Sequence, residues 1–425
     1  MKTEGIEKAL FFGVACFLPL FWVNLTNIAG FKIDLNFLAI LLAYILFVMN
    51  VKSNLLVLKI PLITFLLFTF GYLFSFAING EIKTLMLFSV QVFFSIGAIT
   101  LGLYLARVYE RKDGKRLLFN WICVCNVSFV FVFLLVGGGE SIELIMAVLK
   151  FDSYNAVSLT RDIFGKSYLN EGLQYVDIVN FHNRVAQHIF GFSCLSLVLF
   201  MQLKNYNKRA LLWMMIPLFG CLLSIVLLSG QVFAEILLTL LVVFFVLGVR
   251  NEWVLLLKFI IPLLFIAVIA LILISFGDGD AINKWSDRAS GGDLSTGRLD
   301  IWSYYLSNVD FGTTLFGGGY PEDDTHNLFL TIFLEMGSLG LLLLVVVCVY
   351  SLRFLVRICF SASDQPISVA VIISLSFILH FLLSFLISGG YGFPGFSEIL
   401  KIPALVFGVC ILSGMHGDES LAQRY

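Results

Sequence analysis

The chain has 425 residues, of which 60% are hydrophobic and only 13% are charged, and its formal net charge is −1. A soluble enzyme of this length needs far more charged surface, so the composition excludes one, and the near-neutral charge does not indicate a nucleic-acid partner. The eight cysteines are scattered without a Cys-x-x-Cys pair, which is typical of small side chains in apolar surroundings.

Taken in chain order, the apolar runs are long enough to cross a hydrocarbon core of ~30 Å as helices. Lipid offers no partner to loose backbone polar groups, so each run is expected to be helical. We predict twelve spans, at residues 8–27, 35–50, 55–78, 84–107, 117–137, 183–203, 209–228, 231–249, 253–276, 327–351, 367–388 and 398–415. The first run lacks a small-residue cleavage site and is interpreted as a retained span. The sequence therefore predicts an all-α polytopic membrane protein with a single transmembrane domain, residues 1–425.

Basic residues predict the orientation, because Lys and Arg concentrate in cytoplasmic loops. Under the twelve-span count, one side receives the basic segments 107–116 and 204–209 and the arginines Arg250, Arg353 and Arg357. That side is predicted to be the cytoplasm, and both termini are expected there. The opposite side receives two long loops, 138–182 and the mostly acidic 277–326, which suggest a working surface on that face.

Two of the predicted spans open with polar residues at this outer face. Arg184 and His188 are four residues apart at the start of the sixth span, so they lie on one helical face. The arginine could contact lipid headgroups, or it could bind an anion, since a guanidinium is permanently charged and can donate hydrogen bonds to two phosphate oxygens at once. Gln231 and Glu235 lie one turn apart at the start of the eighth span, where Glu235 is either a hydrogen-bonded structural carboxylate or a functional one.

The large acidic loop contains the segment "RLDIWSYYL", which predicts a short amphipathic helix at 298–306. Arg298 follows a Thr-Gly turn, and the aromatic residues Trp302, Tyr304 and Tyr305 suit a membrane–water interface.

The loop ends at the head of the tenth span, where His326 stands beside Asp323 and Asp324. A neutral imidazole can accept a proton or donate a hydrogen bond, and a neighbouring carboxylate can orient it. No second histidine or cysteine follows at metal-ligand spacing, so a metal site is not expected.

A pattern around this histidine resembles a known family. His326 and Asn327 are followed, after nine residues, by Gly337 and Gly340, which resembles the His-Asn…Gly-x-x-Gly signature of the O-antigen ligase and polymerase superfamily. The segment "TGRLDIW" is similar to the Thr-Gly-Arg…Trp segment of that family's large loop, and Glu335 stands where the family commonly has a glutamate. Several motifs in one order are more specific than a single motif.

The resemblance covers about residues 161–344, and upstream it includes the arginine segments around Arg161 and Arg184. There is one departure. Family members often have Ser-Arg where this chain has Ser229-Gly230-Gln231, so the positive charge would have to come from Arg184 or Arg161.

The resemblance implies a metal-independent glycosyltransferase that uses polyprenyl diphosphate, similar to the GT-C type, with its active site on the periplasmic face of the bacterial inner membrane. The donor would be a glycan on undecaprenyl diphosphate, and the acceptor a sugar hydroxyl. The resemblance implies that the catalytic residues are His326, Arg298 and Asp324. It implies that the diphosphate and substrate are bound by Arg184, Arg161, Arg288, Asn327 and Tyr320. It implies a structural or supporting role for Glu335, Gly337, Gly340, Gln231 and Glu235, with the glycines as close-packing points. No cofactor is implied.

Three functions stay open on this sequence. A polymerase of O-antigen repeat units, with lipid-linked repeat units as donor and acceptor, is favoured by the altered Ser-Gly-Gln site. A ligase that transfers the finished polysaccharide to lipid A-core fits the His-Asn…Gly-x-x-Gly spacing. A flippase for lipid-linked sugars would place charged residues along a central path, whereas here the polar groups gather at the outer mouth. Expected partners are membrane lipid, the lipid-linked oligosaccharide and, for a polymerase, a chain-length regulator protein.

Overall fold

The computed structural model describes residues 2–28, 31–49, 82–169, 181–227, 230–249, 253, 254, 257, 298–318, 328–360 and 401–415. Within these ranges the chain is mostly helical, and only one pair of short strands is present. The helices are α1 (Lys2–Phe17), α2 (Leu35–Met49), α3 (Ile82–Glu110), α4 (Gly114–Gly137), α5 (Gly139–Leu149), α6 (Ser153–Leu169), α7 (Phe181–Leu203), α8 (Arg209–Trp213), α9 (Met215–Val226), α10 (Gly230–Val249), α11 (Arg298–Ser307), α12 (Phe311–Phe316), α13 (Leu328–Phe360) and α14 (Ile402–Met415).

A β-hairpin is the departure from the all-α prediction, and it shortens the first predicted span. The first helix ends at Phe17, not at residue 27, and β1 (Asn24–Ile28) then pairs antiparallel with β2 (Phe31–Asp34). Pro19 explains the early end, because proline disfavours helical geometry in the residue before it and has no N–H to continue a helix. The asparagines and threonine of β1 are also weak helix formers.

The longest apolar helices differ in how deeply they are buried. Three helical stretches among the described residues are long and apolar enough to cross a membrane: Gly114–Gly137, Val185–Leu203 and Arg209–Val226. Buried residues make up 72% of the apolar window in α7, against 28% in α4 and 33% in the α8–α9 stretch. The described part of the bundle is therefore built around α7, which packs against α4, α6, α8, α9, α10 and α14.

Hydrogen bonds to α1 attach it to its neighbours at both ends. The indole nitrogen of Trp121 in α4 donates to the Phe11 carbonyl at 2.8 Å, and the Ser128 hydroxyl donates to the Cys16 carbonyl at 2.8 Å. These bonds join α1 to α4 through side chains that the apolar surroundings would otherwise leave unsatisfied.

At the other end of α1, Glu7 joins α1 to α3 and to the turn that follows it. One carboxylate oxygen of Glu7 accepts from the Tyr104 hydroxyl at 2.6 Å and from the Arg111 guanidinium at 2.7 Å. Burial lowers the pKa of Arg111, but the hydrogen bond and charge of Glu7 and the neighbouring Tyr104 raise that pKa above its ordinary value overall. Arg111 is therefore held in its charged form beside Glu7.

The predicted spans can be compared with the helices where residues are described. Helices cover the predicted spans at 35–50, 84–107, 117–137, 183–203 and 231–249, with ends that differ by a few residues. The span at 209–228 is divided into α8 and α9 at Met214, and α14 starts at Ile402 instead of 398. Residues 55–78 and 367–388 lie outside the described residues, as does nearly all of 253–276, so the twelve-span count stays a prediction.

The two long loops contain helices of their own. In the interval 138–182, α5 and α6 pack against each other as a helical hairpin. In the interval 277–326, the predicted amphipathic helix at 298–306 corresponds to α11, and a second short helix, α12, follows it.

Candidate functional site

The candidate residues divide into those the structure describes fully, in part or not at all. Outside the described residues lie His326, Asp324, Asp323, Asn327, Tyr320 and Arg288. The backbone alone is described for Arg298, the first residue of α11, for Arg184 near the start of α7, and for Gln231 and Glu235 in the first turns of α10. The structure describes Arg161, Glu335, Gly337 and Gly340 with their surroundings.

The helices that carry these candidates are neighbours. Helix α6, which carries Arg161, packs against α7, which carries Arg184. Helix α7 packs against α10, which carries Gln231 and Glu235, and α10 packs against α13, which carries Glu335. Candidates far apart in the sequence therefore lie on a connected series of helices in the fold.

A joint between α12 and α13 surrounds the second half of the signature. At Gly337 the backbone of α13 leaves helical geometry, with φ 67° and ψ −161°, a region that only glycine adopts without strain. A side chain at Gly337 would also overlap the backbone of Leu315 and Phe316 at the end of α12. Gly337 is therefore a break in the helix and a point of close backbone approach at once.

A second glycine completes this joint from the other side. Gly317 also has a positive φ, 81°, and a side chain there would overlap the backbone carbonyl of Glu335. Close to the break, the Leu334 carbonyl accepts a hydrogen bond from the Gly318 N–H at 2.7 Å. The Ser338 hydroxyl donates to the Thr314 carbonyl across the same contact.

Gly340, the last glycine of the signature, differs from Gly337 because its backbone stays helical. A side chain there would overlap the Cβ of Met336, one turn earlier in the same helix, and that atom is attached directly to the backbone. The two signature glycines therefore have different structural roles, which their spacing alone did not indicate.

The joint holds the two described flanks of residues 319–327, a segment that includes His326. Gly318, just before residues 319–327, is bonded to Leu334, and Leu328, just after them, begins α13. Leu334 lies less than two turns from Leu328, about 9 Å along the helix axis. Both described flanks of the segment are thus held on the same short stretch of α13.

Glu335 lies within this joint and is only 1% exposed. Its side chain is therefore packed away from solvent within the described part of the protein. An ionised carboxylate is costly to bury unless other groups compensate its charge, so a buried glutamate here is a feature that the fold must specifically accommodate.

An aromatic cluster lies between the helices that carry Arg161 and His188. The ring of Phe164, one turn after Arg161, packs edge-on against Trp22 with ring centroids 5.1 Å apart. The His188 imidazole stacks on the ring of Phe21 with a centroid distance of 4.7 Å. His188 is thus a packing partner of the segment between α1 and β1, while it shares a helical face with Arg184.

The structure adds one cation that the sequence analysis did not single out. Lys401 is 4% exposed, and its ammonium group lies 5.7 Å from the ring centroid of Phe190 in α7. The interaction of a cation with the face of an aromatic ring compensates part of the cost of burying the charge. The only local signal was a lysine directly before the apolar run that forms α14.

Neither metal ligands among the described residues nor related proteins add to the description of the candidate site. No group of three or more His, Cys, Asp or Glu side chains that could hold a metal ion occurs among the described residues. Comparison of the chain with protein-family models, with curated proteins and with solved structures gives no match.

Proposed function

We propose that this chain is a membrane glycosyltransferase that polymerises O-antigen repeat units on the periplasmic face of the bacterial inner membrane. Each cycle transfers a glycan from undecaprenyl diphosphate to a sugar hydroxyl of another lipid-linked repeat unit. The composition and the three helices long enough to cross a membrane support the location of the enzyme in a bilayer. The ordered motifs from Arg161 to Gly340 support the reaction class.

One observation carries the proposal. The helices that hold Arg161 and Arg184, α6 and α7, are packed in series with α10 and with α13, which holds the signature glycines, although these helices are far apart in the sequence. A transferase needs this arrangement because cations for the leaving group and a base for the acceptor must act on one substrate. Unrelated polar residues at separate helix ends would not require it.

The proposed chemistry uses charge and one proton acceptor. The acceptor hydroxyl attacks the anomeric carbon, the bond from that carbon to the diphosphate oxygen breaks, and the diphosphate leaves with the bonding electron pair. Arg298 and Arg184, with Arg161 or Arg288, stabilise the charge that develops on the diphosphate. His326 takes the hydroxyl proton while Asp324 or Asp323 orients its imidazole, and Asn327 and Tyr320 contribute to substrate binding.

The joint at Gly337 supports the role given to His326. A catalytic imidazole must be held within a fraction of an ångström of its productive position. The hydrogen bond between Gly318 and Leu334 fixes the chain on one side of the His326 segment, and the start of α13 fixes it on the other. Gly317 and Gly337 are the residues that permit this close contact.

The direct experiment supplies the purified protein in lipid nanodiscs with a synthetic undecaprenyl-diphosphate-linked repeat unit. The expected product is a ladder of polymers on a gel, formed without added metal. The variants His326→Ala and Arg298→Ala should form none, while Arg116→Ala, at an exposed arginine in the basic segment, should match the wild type. Failure of the wild-type chain to extend any repeat unit would contradict the polymerase proposal.

A ligase is the second candidate, because the spacing from His326 and Asn327 to Gly337 fits the ligase signature. Deletion of the gene separates the candidates through the lipopolysaccharide that remains. Core carrying a single repeat unit indicates a lost polymerase, whereas bare core with polymer retained on the carrier indicates a lost ligase. Repeat units trapped on the cytoplasmic side would indicate a flippase and contradict both transferases.

A further inference from the structure

Helix α5 directly follows α4 in the chain and is hydrogen-bonded to its end. Gly138, the single residue between the two helices, has a positive φ of 53°, which glycine adopts without strain. The Ser141 hydroxyl in the first turn of α5 donates to the Phe133 carbonyl in the last turns of α4 at 2.7 Å. Helix α5 is thus bound to the end of α4 that lies opposite the basic residues Lys115 and Arg116.

One face of α5 is packed against the protein. Ser141, Leu144, Ala147 and Val148 are buried, and the helix contacts α4, α6 and α9. This face accounts for the attachment of α5 to the bundle.

The opposite face of α5 is apolar and exposed. Ile142, Met146 and Leu149 are 60%, 48% and 50% exposed, and their spacing of four and three residues aligns them in one stripe along the helix. Two charged residues, Glu143 and Lys150, are also exposed, and both lie about a quarter-turn to the same side of the stripe. The surface of α5 therefore consists of a buried face, an apolar exposed stripe and a charged edge.

Helices that are apolar and long enough to cross a membrane lie next to α5. Helix α4 is one of them, and at the end that α5 contacts, its side chains Phe131 and Leu135 are 62% and 68% exposed. Helix α9, which also contacts α5, belongs to another such stretch, Arg209–Val226. A membrane-crossing helix exposes such side chains to lipid acyl chains.

We infer that α5 is an interfacial membrane helix whose stripe of Ile142, Met146 and Leu149 is immersed in the lipid acyl chains of the leaflet at the C-terminal end of α4. Its charged edge, Glu143 and Lys150, faces the headgroups and water. The occupant of the stripe is lipid hydrocarbon, because α5 is hydrogen-bonded to the end of α4, a helix apolar and long enough to cross a membrane, whose Phe131 and Leu135 are exposed near that end. The interval 138–182, predicted as an outer loop, thus begins with a helix inserted into the membrane surface.

This inference is independent of the enzymatic proposal, and electron paramagnetic resonance of the full chain in lipid nanodiscs tests it. A nitroxide is attached to Met146→Cys in the stripe and, as the matched control, to Glu143→Cys on the charged edge of the same helix. Collisions with oxygen, which concentrates in lipid, are compared with collisions with a water-soluble nickel chelate. The labelled wild-type chain supplies the background signal of the native cysteines.

The expected ratio of oxygen to nickel collisions is several-fold higher for Met146→Cys than for Glu143→Cys. The pair Ile142→Cys and Lys150→Cys should repeat this difference, which guards against a local disturbance by one label. Equal access of the nickel chelate to both positions would place the stripe in water and overturn the inference. Low access of both reagents to Met146→Cys would show that protein, either a second copy of the chain or another partner, covers the stripe, and would overturn it as well.

Discussion

The substitution Gly337→Ala changes the joint between α12 and α13 by a single methyl group. At this position the backbone has φ 67° and ψ −161°, and the new carbon would overlap the backbone of Leu315 and Phe316. Neither contact is a flexible side chain, so relief requires either α12 or the helix break to move. Movement of either one separates the Gly318 N–H from the Leu334 carbonyl.

The expected loss of stability follows from two contributions. Holding an alanine in this region of backbone geometry costs on the order of 1–3 kcal/mol. The lost hydrogen bond from Gly318 to Leu334 adds about 1 kcal/mol, because a buried carbonyl is left without its partner. The total is about 3 kcal/mol, which is a large part of the stability of an ordinary domain.

Thermal unfolding of the purified protein in detergent measures this loss. The matched control is Gly248→Ala in α10, a helical glycine where a new methyl group has no other atom within 4 Å. We expect Gly337→Ala to unfold at a clearly lower temperature than Gly248→Ala, and to lose the proposed polymerase activity. Equal stability of the two variants would refute the account of Gly337 as a helix break held by α12.

Three further predictions concern other parts of the chain. Glu7→Gln removes the charge that binds Arg111 and should lower stability by about 1 kcal/mol, an effect that added salt reduces, as unfolding at low and high salt would detect. Trp121→Phe removes the donor to the Phe11 carbonyl in a fully buried position and should cost about 2 kcal/mol in the same assay. His326→Ala should abolish polymer formation while membrane insertion and unfolding temperature stay unchanged.

Each of these predictions has a control that distinguishes the specific effect from a general loss of stability. For Glu7→Gln, the same loss in a chain that already lacks the Arg111 side chain would contradict the pairing of the two residues. For Trp121→Phe, a loss no larger than that of a conservative exchange at an exposed aromatic such as Phe131 would contradict the role of the buried indole. For His326→Ala, normal polymer would remove this residue from the mechanism.

Among the described residues, several helices were predictable from long, uninterrupted apolar runs. The predicted spans at 117–137 and 183–203 correspond to α4 and α7 because continuous apolar residues in lipid have no alternative to a helix. The early end of α1 also had a local signal, Pro19, which the length of the apolar run obscured. The amphipathic segment at 298–306 formed the helix that its pattern predicted.

Other features had only a weak sequence signal. Helix α5 is strongly apolar but has only 11 residues, too few to cross a membrane, so the predicted spans left it inside a loop. Only the burial of one face and the exposure of the other separate its packed residues from its exposed stripe. The candidate arginines were likewise visible as residues, whereas the packing of α6, α7, α10 and α13 in series was not.

The sequence by itself determined the class of this protein, because the composition and length of apolar runs decide which segments can leave water. It also marked His326, Arg298 and the two signature glycines as candidates. The tertiary structure decided what Gly337 does. A glycine tolerates both a continuous helix and a break, and the break occurs here where the backbone of α12 packs against Gly337 and the Gly318 N–H, just after α12, bonds to the Leu334 carbonyl.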